Sequence, residues 1–302
     1  MNFEATEIDT PSISSSAMLV EIRINCWTGR KKDKAVSEEV TTDKKADRGT
    51  ATVTKKLLGD CATLHAIDKQ SKNARNASYK RTLPWADTGP RLLSTEQYFK
   101  FHPEMTEWQN EFYKLVDDFD RAYPFELAQA QVRLGDLFDP SDYPHPDQIR
   151  DKFRFHISYM PVPDAGDFRV DVGNETKQTL TTHYKEYYNE QISGAMNDLW
   201  TQLHTCLSNM SDKFAEPTED DKATKTGSKT FRDTLFTNMN HMLEMLKTCN
   251  VTGDCQMEAM RLRIEDALHG ITPDAVRQDS RLRAETKRAM DDAIAQIPTL
   301  DM

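Results

Sequence analysis

The chain has 302 residues, 39 Lys+Arg against 49 Asp+Glu (net charge −10), and only 37% hydrophobic residues. With a mean hydropathy of −0.72 and no run approaching the roughly 18 apolar residues of a spanning helix, the chain is not expected to cross a membrane. The length allows one large domain or two modest ones, and the absence of a Gly-rich phosphate loop, a zinc-protease helix motif or a nucleophile elbow gives an enzyme no positive support.

Residues 1–17 are acidic and Ser/Thr-rich, without a basic n-region or an apolar core, so a disordered tail is expected rather than a signal peptide. Met18, Val20, Ile22, Ile24 and Cys26 then alternate with polar residues, the period of a half-buried strand. Residues 28–50 have almost no apolar content and read as a mobile loop. Val53, Leu57, Cys61, Leu64 and Ile67 return at helical spacing. Pro84, Gly89 and Pro90 make 81–93 a turn connection, and Ser94 with Gln97 resembles a capping box. Tyr98, Phe101, Met105, Trp108, Phe112, Leu115, Phe119 and Ala122 follow at 3-4 spacing, a coiled-coil-like seam, with a kink or restart expected at Pro103 and Pro124.

A proline-rich turn at 139–146 and a short helix at 147–152 lead to two strands, at 153–159 and 168–172. A second long seam, Leu180 through Leu199 to Phe214, predicts a helix over 176–214 that would form an elongated hairpin with the first. An intermolecular coil writes the same seam, so a homo-oligomer stays open. A linker at 216–229 separates this 18–215 core domain from a helical region at 230–302, with helices expected at 231–249, 256–269 and 273–297. The fold class is therefore α+β and mostly α: a long helical hairpin, a small antiparallel β-sheet and C-terminal helices, and not an OB-fold.

The net charge hides a split. Residues 23–91 hold 16 Lys+Arg against 8 Asp+Glu, a net of +8, which leaves −18 for the rest. Aromatic residues stand among these cations. Cations neutralise phosphates and flat rings stack on unpaired bases, so the segment suits single-stranded nucleic acid. The candidate contacts are Trp27, Arg30, Lys31, Lys32, Lys55, Lys56, Lys72, Arg75, Tyr79, Lys80, Arg81, Trp85 and Arg91. A solvated basic loop with a few core aromatics is the competing reading. Trp85, after a proline in a tight connection, is equally placed to stack on a base or to plug the core.

Other chemistry is sparse. Pro163-Asp164 ahead of Glu175 and Lys177 has the residue types of a metal-dependent nuclease, but Gly173-Asn174 and Gln178-Thr179 suggest a turn entering a helix rather than the strand such a site needs. The histidines His102, His145 and His156 have no ligand partner at helix spacing. Five scattered cysteines fit a reducing cytoplasm, and Cys249 with Cys255 lacks the second Cys/His pair of a zinc site. No metal or cofactor is expected.

Four stretches stand out as a set: NCWTGRKK at 25–32, RTLPWADTGPRLL at 81–93, DYPHPDQIRDKFRF at 142–155 and PVPDAGDFRV at 161–170. Over about 18–214 the chain resembles a family of bacteriophage proteins that includes the Drc-like single-stranded-DNA-binding cofactors of phage RNA polymerase. The opening motif is also similar to proteins encoded near MoxR-type AAA ATPases. The first resemblance implies single-stranded DNA and a phage RNA polymerase as partners, in the cytoplasm of an infected bacterium. The two long seams and the acidic body leave a competing reading, an elongated helical adaptor that serves an AAA ATPase partner and binds no DNA. No site residue is carried over from either.

Overall fold

The computed structural model describes residues 13, 15–86, 88–163, 174–215 and 233–298, with the side chains of 174–178 left aside. In chain order the elements are β1 (Ala17–Asn25), β2 (Arg30–Asp33), α1 (Lys34–Asp43), β3 (Val53–Lys56), α2 (Ala62–Arg81), β4 (Leu83–Pro84), β5 (Arg91–Ser94), α3 (Thr95–Leu134), α4 (Pro146–Ile149), β6 (Arg154–Pro161), α5 (Asn174–Phe214), α6 (Thr234–Cys249), α7 (Cys255–Leu268), α8 (Pro273–Gln278) and α9 (Ser280–Ile294). The fold is mostly helical, with one four-stranded sheet in the order β4-β5-β1-β6 and one two-stranded sheet, β2-β3.

The chain divides into two compact units. The first is Met1–Glu21, Arg81–Phe99 and Tyr159–Met302; the second is Ile22–Lys80 and Lys100–Ser158. Residues on both sides of the 216–229 stretch thus fall in the first unit.

In the first unit, α5 packs on α6 and α9, and α7 lies against both of those. Their shared core takes Ile192, Leu199, Leu203 and Phe214 from α5, Met239 and Met245 from α6, Met257 and Ile264 from α7, and Met290 from α9. Ile13 is only 1% exposed within this core, so the expected tail is anchored at least there; residues 1–12 lie outside the described set. The expected connection at 81–93 is a hairpin, with Leu83 opposite Leu92, and β5 continues the ladder onto β1 through Leu19 and Leu92. Ser94 accepts a hydrogen bond from the Gln97 amide at 3.2 Å, half of the capping box. The Gln97 side chain instead donates to Thr248 at 2.9 Å. The single helix expected over 273–297 is broken at Asp279, whose carboxylate accepts from the Arg281 and Leu282 amides and starts α9 anew.

The second unit is built on aromatic residues. Phe112, Phe119 and Tyr123 of α3 pack with Leu64, Ile67 and Ala74 of α2, with Leu57 and Leu58 after β3, and with Phe153 and Phe155. Phe119 meets Phe153 at 5.4 Å and Phe112 meets Phe155 at 5.6 Å, both edge to face, the favoured geometry for ring pairs.

The α5 seam enters the core of the first unit and the α3 seam that of the second. Three expectations are corrected. Pro103 and Pro124 do not end α3; both lie on its exposed side, where water can satisfy the carbonyl that the missing amide leaves. The loop expected over 28–50 contains β2 and α1, and the helix expected from Val53 begins only at Ala62, after β3. The third strand expected at 168–172 lies outside the described residues. Among the described residues no helix is long and apolar enough to cross a membrane.

Candidate nucleic-acid interface

The second unit brings together ten of the candidate residues: Trp27, Arg30, Lys31, Lys32, Lys55, Lys56, Lys72, Arg75, Tyr79 and Lys80. Arg81, Trp85 and Arg91 belong to the first unit. The segment between β1 and β2 makes the centre of the site. Gly29 has φ +60°, and a Cβ there would come within 2.8 Å of Leu64, so the turn closes against α2 only with glycine. The Leu57 amide donates to the Gly29 carbonyl at 2.8 Å, which fixes the end of the β2-β3 ladder beside it. Trp27, two residues earlier, is half-buried. Its ring lies 5.8 Å from Tyr123, edge-on, and 6.3 Å from Phe119.

Trp27 borders two hollows. One, of about 380 Å³, is lined by Arg30, Lys56, Asp60, His65, Asp68 and Lys72. The other, of about 590 Å³, is lined by Asn25, Asp68, Ser71, Arg75 and Lys152. Five cations thus face two carboxylates around one indole. Arg75 donates to the Ile24 carbonyl at 2.7 Å, and Lys72 pairs with Asp68 at 2.6 Å on the exposed face of α2. Cys26 shares a 3.1 Å hydrogen bond with Ser71, and burial pushes its thiol pKa up.

The β2-β3 hairpin sorts its cations by face. Register places Arg30 opposite Lys56, Lys31 opposite Lys55, and Lys32 opposite Thr54. Directly opposite residues share a face and neighbours alternate. Lys31 and Lys55 therefore turn to one side, where both pair with Asp142, whose side chain is 2% exposed; Lys55 Nζ lies 2.7 Å from it and 3.2 Å from Asp33. Lys55 also donates to the Leu137 carbonyl at 3.1 Å. The hydrogen bond to Asp142, outweighing burial, raises the Lys55 pKa. Burial works against ionised Asp142, but the hydrogen bonds from Lys31 and Lys55 prevail and hold its pKa below the usual value. Lys55 is thus a structural residue, not an open phosphate contact. Arg30, Lys32 and Lys56 are on the open face.

Trp85 is corrected as a stacking residue. It is 5% exposed in the core of the first unit, with Tyr188 at 6.2 Å, so protein already covers its ring. Arg91 spends its guanidinium on Thr82, at 2.7 Å to the hydroxyl and 2.8 Å to the carbonyl, and Arg81 reaches Gln97 at 3.5 Å. Tyr79 and Lys80 are exposed at the end of α2 and line neither hollow. Sequence reasoning missed Gly29, His65, Lys152 and Asp142. The Trp-Thr-Gly-Arg turn could have given Gly29; only tertiary placement brings in Lys152 and Asp142, far along the chain from the hairpin. Of the nuclease constellation, Asp164 and the side chains of Glu175 and Lys177 lie outside the described residues. Among the described residues no group of His, Cys, Asp or Glu is placed to hold a metal ion, and Cys249 is buried with its pKa pushed to about 11.

No family model, curated protein or solved structure matches this chain.

Proposed function

We propose that the second unit binds single-stranded DNA without strong sequence preference and that the protein acts, non-enzymatically, as a cofactor of a phage RNA polymerase. The observation that supports strand binding most directly is Trp27, half-buried between two hollows rimmed by Arg30, Lys56, Lys72, Arg75 and Lys152. A partly exposed indole beside cations offers a base something to stack on and its phosphates something to neutralise. The polymerase role rests on the sequence resemblance alone.

Fluorescence anisotropy of a labelled single-stranded oligonucleotide, at two salt concentrations, tests the reading. Affinity is expected to fall with salt at about −0.7 per phosphate contact, and an equal mass of duplex is expected to compete poorly. Changing Arg30, Lys56, Lys72 and Lys152 together to Gln is expected to weaken binding while circular dichroism stays unchanged; an unaltered affinity would refute the assignment. A second reading, an adaptor for an AAA ATPase, draws on the first unit, which carries 18 Lys+Arg against 30 Asp+Glu. Absence of any salt-sensitive oligonucleotide binding, with ATPase capture intact, would select it.

A further inference from the structure

Across the β2-β3 ladder two like-charged pairs stand directly opposite each other, Arg30 with Lys56 and Lys31 with Lys55. Like charges in that position destabilise a sheet unless an anion lies between them. On one face the protein supplies the anion itself. Asp142, its side chain almost fully buried, pairs with both Lys31 and Lys55. On the other face nothing equivalent is present among the described residues: Lys56 has the exposed Asp60 at 3.7 Å, and Arg30 has no carboxylate partner there.

We infer that Arg30 and Lys56 form a phosphate-binding site, in which an external phosphate occupies the position that Asp142 holds on the opposite face. Both side chains line the hollow that Trp27 borders, and Lys72 lines it too. The hydrogen bond from the Leu57 amide to the Gly29 carbonyl, 2.8 Å, ties the chain next to the pair, so the two cations are held close before any ligand arrives. A guanidinium fork and an ammonium can together take two oxygens of one phosphate. On the single-strand reading, on which the choice of ligand rests, that phosphate is the strand's own and the adjoining base reaches Trp27.

Arg30→Glu in the full chain separates the site from the reading. The introduced carboxylate would face Lys56 as an opposite-sign pair, so the variant is expected to melt later than wild type, by about 1–3 °C. It should bind a single-stranded oligonucleotide roughly tenfold more weakly, a loss on the scale of one charged hydrogen bond. Millimolar inorganic pyrophosphate, at matched ionic strength, should raise the melting temperature of wild type and leave Arg30→Glu unmoved. Arg30→Lys should retain most of both responses. If wild type binds the oligonucleotide and Arg30→Glu binds equally well, the site is overturned and the single-strand reading stands. If pyrophosphate stabilises wild type alone while no oligonucleotide binds, the site stands and the single-strand reading falls. Equal stabilisation of both proteins by pyrophosphate, or an Arg30→Glu variant that melts earlier, overturns the site.

Discussion

The two units are made of different material. The first carries 18 Lys+Arg against 30 Asp+Glu and the second 21 against 19, so one has net charge −12 and the other +2. Their interiors differ as much. The buried cluster of the first unit includes Met196, Met210, Met239, Met242, Met245, Met257, Met260 and Met290, whereas that of the second is built on Phe112, Phe119, Tyr123, Tyr143, Phe153 and Phe155, and its unit buries a single methionine, Met105, among the described residues. Methionine is flexible and fills irregular gaps between helices, while ring pairs hold particular distances and angles. A candidate stacking residue gains from the second kind of support, and Trp27 leans on Phe119 and Tyr123.

The largest effects should come from one ring in each unit. Phe119→Ala and Trp85→Ala are each expected to cost about 3–5 kcal/mol in urea unfolding. They should part in anisotropy: Phe119→Ala weakens oligonucleotide binding because Trp27 loses its backing, whereas folded Trp85→Ala binds as wild type. Equal loss of affinity in both would erase the functional distinction between the units.

Next comes the carboxylate under the hairpin. Asp142→Asn leaves Lys55 and Lys31 without their shared anion, and is expected to cost about 3 kcal/mol, the low end for a buried pair because Lys31 is half exposed. The pH dependence has a definite sign. The folded pKa of Asp142 lies below its usual 3.8. Its stabilisation is therefore complete above that usual value and is lost as pH falls through the folded one. The stability gap between wild type and Asp142→Asn should be full at neutral pH and close only below about pH 4; a gap that closes near pH 6 would implicate another group.

The smallest effect tests the soft core. Met239→Leu keeps volume and should cost under about 1.5 kcal/mol. A larger loss would mean that the first unit is packed as strictly as the second.

What could be read in the sequence follows from how each element is held. The α5 seam was legible because Ile192, Met196, Leu199, Leu203 and Phe214 are apolar, buried and helically spaced. The α3 seam was legible with one drift: the buried row that starts at Phe101 continues at Val116, Tyr123 and Ala130, one residue later than strict heptads place it. A helix at 3.6 residues per turn drifts in this way when no partner coil winds it to 3.5. Helix α1 was illegible because its buried residues are Ser37 and Thr41, and it is held by polar bonds, including one from the Val53 amide to the Ser37 hydroxyl at 2.9 Å. The basic character of the candidate site was visible in composition. Its division into an open face and a neutralised face was not, because Asp142 is distant in sequence from both strands.

The interleaving of the two units also orders their assembly during synthesis. Every residue of the second unit has been made once the chain reaches Ser158. The first unit holds Met1–Glu21 and Arg81–Phe99 but also needs Tyr159–Met302, which supplies α5 to α9. Domains fold as their chain emerges from the ribosome. The second unit can therefore close early, while Ile13, Leu83, Trp85 and Leu92 wait uncovered for helices not yet translated. During that interval these apolar side chains are what a chaperone would shield.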